Sequence, residues 1–257
     1  MLALAPIEIP EAERKLVAWW KLDEGSGTTT ADSSGNENHG TLHGPVEWTD
    51  GHDGKALKFT GPYNYVLVED SPELNPTYAI TIVAWINPSW TGNNRILQKS
   101  IEGSDNQYRL LKEYGENMVF HLPGVANDRL EFPGCPPAGE WTHLAAVYDG
   151  SKMIVYYNGE VAGEQDSSGE MATSNGPLFI GTKHSTAPAG DEFNGILDDV
   201  RIYNYALSEA DIAALYAGKE LREGRNWIPV LVIVVIAAVV VGLATRRKKS
   251  SNLNKEI

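Results

Sequence analysis

Eleven short apolar segments, spaced roughly a dozen residues apart, limit what this chain can fold into. Each is rich in Val, Ile, Leu, Tyr, Phe or Trp, and most are bounded by Gly, Pro, Asn or Asp, which is typical of β-strands that end in turns. Regular spacing of this kind favours an antiparallel sandwich or barrel over a parallel α/β fold. The predicted strands cover residues 15–22, 56–59, 65–68, 79–87, 95–99, 108–112, 118–122, 141–148, 153–162, 178–181 and 195–203.

One turn and one helix have clear local signals. Asn158 and Gly159 suit a two-residue hairpin turn, because both central residues of such a turn need positive φ. Ser208 and Asp211 form an N-terminal capping pair ahead of an apolar helical face, and Gly218 follows where a helix would stop. The soluble part is therefore predicted to be all-β with one short terminal helix.

A second apolar feature lies near the C-terminus. Residues 228–244 carry no charge, and with one flanking residue on each side they would form a helix of roughly 28 Å, close to the thickness of a hydrocarbon core. A buried core helix rarely runs this long without a polar face. The sequence predicts a single transmembrane helix over 227–245, in contact with the lipid bilayer, preceded by a juxtamembrane linker over 218–226.

The sequence gives weaker signals for which side of the membrane the main domain lies on. Four basic residues begin the 246–257 segment, which is predicted to be a cytoplasmic tail, and this places the main domain outside the cell. Residues 1–14, an N-terminal extension, contain no signal-peptide pattern. Either a signal lies upstream of Met1, or the chain is tail-anchored with its domain in the cytoplasm; we predict the outside orientation.

The charge of the chain excludes one class of partner. The net charge of −13 includes +4 from residues 246–257, so residues 1–245 carry −17. Such an acidic domain disfavours nucleic acid and favours cations and neutral ligands.

Read in order, four blocks of the chain resemble laminin-G-like, concanavalin-A-like lectin domains. WKLDEGSG with ADSSGNENHG resembles their first strand and loop, and ALKFTGPYNYVLVEDSPELNPTYAITIVAWINP resembles the next strands. EWTHLAAVYDGSKMIVYYNGEVAG resembles the central hairpin, and FNGILDDVRIYNYALSEADIAALY the closing strand and helix. The resemblance covers residues 15–217 and implies a two-sheet antiparallel jellyroll sandwich. It also implies that the first strand pairs with the last, which would protect a sheet edge.

The resemblance further implies a structural calcium ion. Calcium takes six to eight oxygen ligands, and related domains hold one where the first loop meets the closing strand. The residues carried over are Asp198, Asp32, Glu24 and Asn36. The alternative is that Asp32 and Asn36 form local turns, and that Asp198 pairs with Arg201 or accepts backbone N–H groups.

A carbohydrate site is the second expectation, because sugars stack on aromatic rings. Trp90, in a Pro-Ser-Trp-Thr-Gly-Asn loop, is the aromatic residue predicted to face solvent, while Trp19, Trp20 and Trp141 are assigned to the core. The other candidates each have a core interpretation as the alternative. They are Trp85, Tyr63, Tyr65 and Tyr108.

Catalysis is not expected. Glucan-cleaving enzymes on this fold carry carboxylates at even spacing on one strand. The nearest match, Glu209 and Asp211, falls on the predicted terminal helix, and His143 has no sequence partner. No metalloprotease, nucleophile-elbow or phosphate-loop motif is present.

Two functions remain. The first is a membrane-anchored surface recognition module that binds carbohydrate or another cell-surface ligand. The alternative is a non-catalytic structural or adhesion element of a prokaryotic cell envelope, acting through protein–protein contact. The single cysteine, Cys135, cannot form an internal disulfide, which fits a prokaryotic surface protein.

Overall fold

Two antiparallel sheets of eight strands each make up the computed structural model, which describes residues 9–101, 107–113, 115–185 and 191–221. In chain order the strands are β1 (Leu16–Trp20), β2 (Thr29–Thr30), β3 (Gly40–His43), β4 (Glu47–Asp50), β5 (Lys55–Phe59), β6 (Tyr65–Val68), β7 (Ile80–Pro88), β8 (Asn94–Lys99), β9 (Tyr108–Lys112), β10 (Asn117–His121), β11 (Arg129–Pro133), β12 (Thr142–Tyr148), β13 (Lys152–Tyr157), β14 (Glu160–Asp166), β15 (Leu178–Ile180) and β16 (Gly195–Tyr203). The helices are α1 (Glu209–Tyr216) and two short 3-10 turns, Glu11–Glu13 and Pro72–Leu74.

The strand order is that of a sandwich. The first sheet runs β14-β13-β12-β7-β16-β5-β4, with β1 also paired to β16, and the second runs β11-β10-β9-β8-β15-β6-β3-β2. Asn158 and Gly159 both have positive φ, 51° and 84°, in the turn that joins β13 to β14. The predicted all-β, two-sheet antiparallel fold with one short helix is confirmed.

Strand β16 changes partner halfway along its length. Its first half, Gly195–Leu197, pairs with β5, whereas its second half, Val200–Tyr203, pairs with β1. This confirms that the first and last strands lie side by side. The register with β7 shifts between Asp198 and Arg201, and Asp199 adopts a left-handed φ of 48°. The shift is a β-bulge, and bulges re-aim the side chains that they carry.

The core lies between the sheets, and a smaller cluster lies outside the first sheet. Ile82, Ala84 and Ile86 of β7 point into the main core, as the two-residue period of a strand requires. Val83, between them, points outward into the second cluster. Helix α1 covers that cluster with Ile212 and Leu215, so β7 is buried on both faces.

Helix α1 has the predicted N-terminal cap. The Ser208 side chain accepts a hydrogen bond from the backbone N–H of Asp211, and the Asp211 carboxylate accepts one from the backbone N–H of Ser208. Gly218, with φ of 70°, follows the helix in the left-handed conformation that glycine tolerates best. These contacts bring residues 218–221 back toward the sheet.

The predicted transmembrane helix, residues 227–245, and the basic tail, 246–257, lie outside the described residues. Within the described part of the chain, no helix is both long enough and apolar enough to cross a membrane.

Candidate functional site

A cleft of about 330 Å³ opens on the first sheet at the β16 bulge. Its walls come from the end of β1, the turn between β4 and β5, the bulge itself and the chain that follows α1. The lining residues are Trp19, Lys21, Asp23, His52, Asp53, Trp85, Asp198, Asp199, Arg201, Leu215, Gly218, Lys219 and Glu220. The change of partner along β16 therefore leaves a depression between the end of β1 and the beginning of β5.

Asp198 fixes the turn between β4 and β5. Its Oδ2 accepts hydrogen bonds from the backbone N–H groups of His52 at 2.8 Å and Asp53 at 3.1 Å. A Cβ on Gly51 would lie 2.6 Å from the same oxygen, so only glycine fits there. Asp198 is 2% exposed, and burial raises its pKa to about 7 although the two backbone hydrogen bonds act in the opposite direction.

An aromatic cluster adjoins this turn. The imidazole of His52 stacks on the indole of Trp85, with ring centroids 3.5 Å apart and planes 12° apart. Trp141 meets the edge of His52 at 5.9 Å, and the exposed Tyr216 of α1 lies 5.8 Å from Trp85. His143, on the neighbouring strand, contacts the edge of Trp85 at 5.2 Å.

A charged network forms the opposite wall. Arg201 donates two hydrogen bonds to Asp199, both 3.0 Å, and two to Glu220, both 3.1 Å. Its guanidinium also lies 4.2 Å from the ring of Trp19, while the Lys21 ammonium lies 4.4 Å from that ring. Burial opposes the charge of Arg201, but Asp199 and Glu220 outweigh it and raise the pKa of Arg201 above its ordinary value.

The structure brings two of the predicted site residues together. Asp198 and Trp85 face each other in register across β16 and β7, and both line the cleft. One had been predicted as a calcium ligand and the other as a carbohydrate platform. Their shared position makes the cleft the strongest candidate site in the described structure.

The other predicted aromatic residues lie elsewhere. Tyr108 is 1% exposed and donates its hydroxyl hydrogen bond to the Leu74 carbonyl at 3.2 Å, so its assignment to a ligand surface was wrong; β9 turns it into the main core. Trp90 is half-buried rather than solvent-facing, because its indole N–H donates to the Pro136 carbonyl and its ring packs against the core. Tyr63 is 55% exposed but does not line the cleft.

Burial settles the positions of four further aromatic residues. Tyr65 is buried and stacks on His43, away from the cleft. Trp20 is fully buried, as predicted. Trp19 and Trp141 are only half-buried, and their assignment to the core was wrong, because both belong to the outer side of the first sheet next to the cleft.

The side chains predicted to bind calcium make hydrogen bonds within the protein. The two oxygens of Asp32 accept the backbone N–H groups of Trp19, Ser34 and Asn38 and the Ser34 hydroxyl. Asn36 donates its amide hydrogens to the carbonyls at the start of β1. These are the local bonds that the alternative interpretation describes.

Glu24 and Asp198 also accept hydrogen bonds within the protein, those of Asp198 coming from His52 and Asp53. Glu24 accepts the backbone N–H of Ala31 at 2.7 Å and the Thr30 hydroxyl at 3.2 Å. Among the described residues, no three His, Cys, Asp or Glu side chains lie close enough together to hold a metal ion. The four predicted ligands thus do not form one donor cluster, and calcium stays a prediction of the resemblance.

Several cleft residues were missed by sequence reasoning. His52, Asp53 and Asp199 were not singled out, although the Asp-Gly-His-Asp-Gly turn and the adjacent pair Asp198 and Asp199 were visible. Arg201 was considered only as a partner of Asp198, whereas it pairs with Asp199 and Glu220.

The buried imidazole of His143 makes stability depend on pH. Burial, foremost, lowers its pKa to about 4 from 6.5, so the unfolded chain binds a proton in that interval while the folded chain does not. The contribution to stability is therefore complete above pH 6.5 and is lost as the pH falls toward 4. In urea denaturation, the change in stability from pH 7 to 4.5 should be about 2–3 kcal/mol more unfavourable in the unaltered chain than in His143→Phe. The raised pKa of Asp198 acts in the opposite direction over this interval, and both proteins share it. Parallel pH profiles of the two proteins would contradict the assignment.

Both the sequence and the fold resemble those of known proteins. The family model described as the concanavalin A-like lectin/glucanases superfamily matches residues 59–213, which is more than half of the chain. No curated protein matches the sequence.

Solved structures with the same fold include binding domains of bacterial toxins and one domain of an enzyme. The binding domain of Paraclostridial mosquitocidal protein 1 has a TM-score of 0.63 and 15% identity, covering 79% of this chain and 52% of its own. Domain 4 of AbnA, an extracellular GH43 arabinanase from Geobacillus stearothermophilus solved with arabinotriose, has a TM-score of 0.60 and 21% identity, covering 79% of this chain and 99% of its own.

A third similar structure is the ligand-binding domain of botulinum neurotoxin serotype D in complex with N-acetylneuraminic acid. Its TM-score is 0.62 at 15% identity, with 82% of this chain and 53% of its own covered. The chain thus spans about half the length of the toxin domains that it matches. At these identities the likeness shows the fold.

Proposed function

This chain belongs to the concanavalin A-like lectin/glucanases superfamily, and on that premise we propose that it is a recognition module that binds a neutral carbohydrate in the cleft at the β16 bulge. The observation that carries the proposal is the meeting of aromatic rings and carboxylates in one depression. Trp19 and Trp85 line it together with Asp23, Asp53 and Asp199.

Sugar chemistry matches this combination. A pyranose or furanose ring presents apolar C–H groups, which pack on aromatic rings, and hydroxyl groups, which donate hydrogen bonds to carboxylates. Binding sites commonly join an apolar surface to a few convergent polar groups in this way. The charge of −13 on the whole chain disfavours anionic ligands, so a neutral saccharide fits better than an acidic one.

The proposed role is non-catalytic. A glycosidase needs one carboxylic acid to donate a proton and one carboxylate to act as nucleophile or base. Asp198 is buried under the backbone N–H groups of His52 and Asp53, and Asp199 is held by Arg201. Neither carboxyl is free to reach a glycosidic bond.

The experiment is a glycan array with the labelled full-length chain. We expect binding to at least one neutral oligosaccharide, with a loss of tenfold or more in Trp85→Ala and a smaller loss in Asp53→Asn. Tyr63→Ala is the matched control, because Tyr63 is an exposed aromatic residue outside the cleft. An array with no binding, or binding equally weakened by Tyr63→Ala, would favour the alternative of a structural or adhesion element of a prokaryotic envelope.

A structural calcium ion remains a separate proposal, supported by the family resemblance alone. A bound ion would raise the melting temperature when calcium is added and lower it when a chelator is added. Asp198→Ala should then melt at the same temperature in both conditions. Equal melting of the unaltered chain with calcium and with chelator would exclude a stabilising ion.

We propose, from the sequence alone, that residues 227–245 anchor the protein in the cell membrane with the sandwich outside and the C-terminus in the cytoplasm. Protease treatment of intact cells tests the orientation, because an outside domain is degraded and a cytoplasmic one is protected. Full protection in intact cells, with digestion after lysis, would reverse the proposed orientation.

A further inference from the structure

One face of Trp85 is covered by the exposed side chain of His52. Trp85 is only 7% exposed, although its strand turns it away from the main core. The imidazole of His52 lies 3.5 Å from it in a nearly parallel stack, and His52 itself is exposed. His52 therefore separates that face of Trp85 from solvent.

The side chain of His52 can move without disturbing the turn that carries it. Asp198 holds the backbone N–H groups of His52 and Asp53, so the main chain of the turn is fixed by a buried carboxyl. Within the described part of the chain, the imidazole nitrogens of His52 make no hydrogen bond. Ring contacts with Trp85 and Trp141 hold the imidazole in place, and a rotation about χ1 would release it.

Rotation of His52 would expose an aromatic surface next to a carboxylate of the cleft. The exposed Tyr216 lies 5.8 Å from Trp85, the half-buried Trp141 lies 5.9 Å from the present position of His52, and Asp53 of the same turn also lines the cleft. His143, behind Trp85, is 1% exposed, and its Nδ1 has no hydrogen-bond partner among the described residues. A planar or sugar ring would find on Trp85 the same surface that the imidazole now covers.

We propose that His52 is a displaceable cover that occupies the stacking position of the saccharide ring on Trp85 and swings aside when a neutral saccharide binds. This inference rests on the proposed function and defines its primary subsite. The imidazole acts as an internal competitor of the ligand. Since an aromatic pair of this kind contributes only modestly beyond area burial, its removal should strengthen saccharide binding roughly 2- to 10-fold.

The test uses the full-length chain, its His52→Ala variant and a control, His43→Ala, whose imidazole stacks on Tyr65 in the second sheet. Acrylamide quenching of tryptophan fluorescence measures whether Trp85 is uncovered. We expect more quenching in His52→Ala, no change in His43→Ala, and loss of the increase when Trp85→Phe is added. Unchanged quenching in His52→Ala would overturn the cover.

Affinities for maltotriose, cellotriose and arabinotriose measure the competition. We expect His52→Ala to bind at least one of them 2- to 10-fold more tightly than the unaltered chain, and His43→Ala to bind as the unaltered chain does. Weaker or equal binding by His52→Ala, with Trp85-dependent binding retained, would overturn the cover and leave the proposed function standing. Absence of Trp85-dependent binding to any saccharide in all three proteins would overturn both.

Discussion

Replacing Arg201 by methionine should lower the free energy of unfolding by about 2–4 kcal/mol, because it removes charged hydrogen bonds and a cation–π contact and leaves the half-buried carboxylate of Asp199 without its cation. Arg201 is 5% exposed, and its guanidinium satisfies Asp199, Glu220 and the face of Trp19 at once. Methionine preserves much of the volume but leaves the carboxylate of Asp199 with the indole N–H of Trp19 as its remaining side-chain partner. For a chain of this size the loss corresponds to a fall in melting temperature of roughly 10 °C.

Two further variants identify the cause of that loss. Arg201→Met combined with Asp199→Asn removes the stranded charge and should recover at least half of the lost stability, since asparagine tolerates the left-handed backbone at position 199. Lys55→Met breaks an exposed ion pair with Asp50 and should change stability by less than about 1 kcal/mol. If the double variant is no more stable than Arg201→Met, the unpaired charge of Asp199 is not the reason for the loss.

Truncation of Tyr108 to alanine should cost about 3–5 kcal/mol of unfolding free energy and leave ligand affinity unchanged. Its ring fills the core between the two sheets, and burial, chiefly, raises the pKa of its hydroxyl well above the ordinary value. Tyr108→Phe keeps the ring and loses only the hydrogen bond to Leu74, so it should cost about 0.5–1.5 kcal/mol. Urea denaturation of both variants measures the difference.

The comparison for this prediction is Tyr63→Ala. Tyr63 is also a tyrosine that the sequence offered as a ligand contact, but it is exposed, and its truncation should change stability by about 0.5 kcal/mol or less. A Tyr108→Ala protein as stable as Tyr63→Ala would mean that β9 does not turn Tyr108 into the core.

The architecture could be predicted because its signals repeat along the chain. Runs of β-branched and aromatic residues between turn residues identified the long central strands, such as β7 and β12, and the ordered blocks implied that β1 pairs with β16. The short strands β3, β4 and β11, which lie at or next to a sheet edge, were missed, because GTLH, EWTD and RLEFP have weak strand composition. Pairing with β6, β5 and β10 stabilises them, and that pairing is a tertiary property.

The cleft could be predicted only in part. Trp85 and Asp198 were singled out from their residue types, but their contact depends on the register between β7 and β16 and on a bulge that no local pattern announces. The position of Trp19 outside the core could have been predicted from the sequence. Adjacent residues on a strand face opposite sides, so Trp19 and Trp20 cannot both lie in the core. The contact of His52 with Trp85 could not be predicted, because only the folded chain places the turn between β4 and β5 over Trp85.

Hydrogen exchange of the full-length chain, with and without the neutral trisaccharide that it binds most tightly, tests the central claim most directly. Saccharide binding in the cleft should slow exchange at the backbone N–H groups of His52 and Asp53, which donate to Asp198 beneath the cleft. Exchange should be unchanged at Arg109 and His121, which lie on the second sheet. Protection at Arg109 and His121 without protection at His52 and Asp53 would place the ligand on the other sheet and contradict the account.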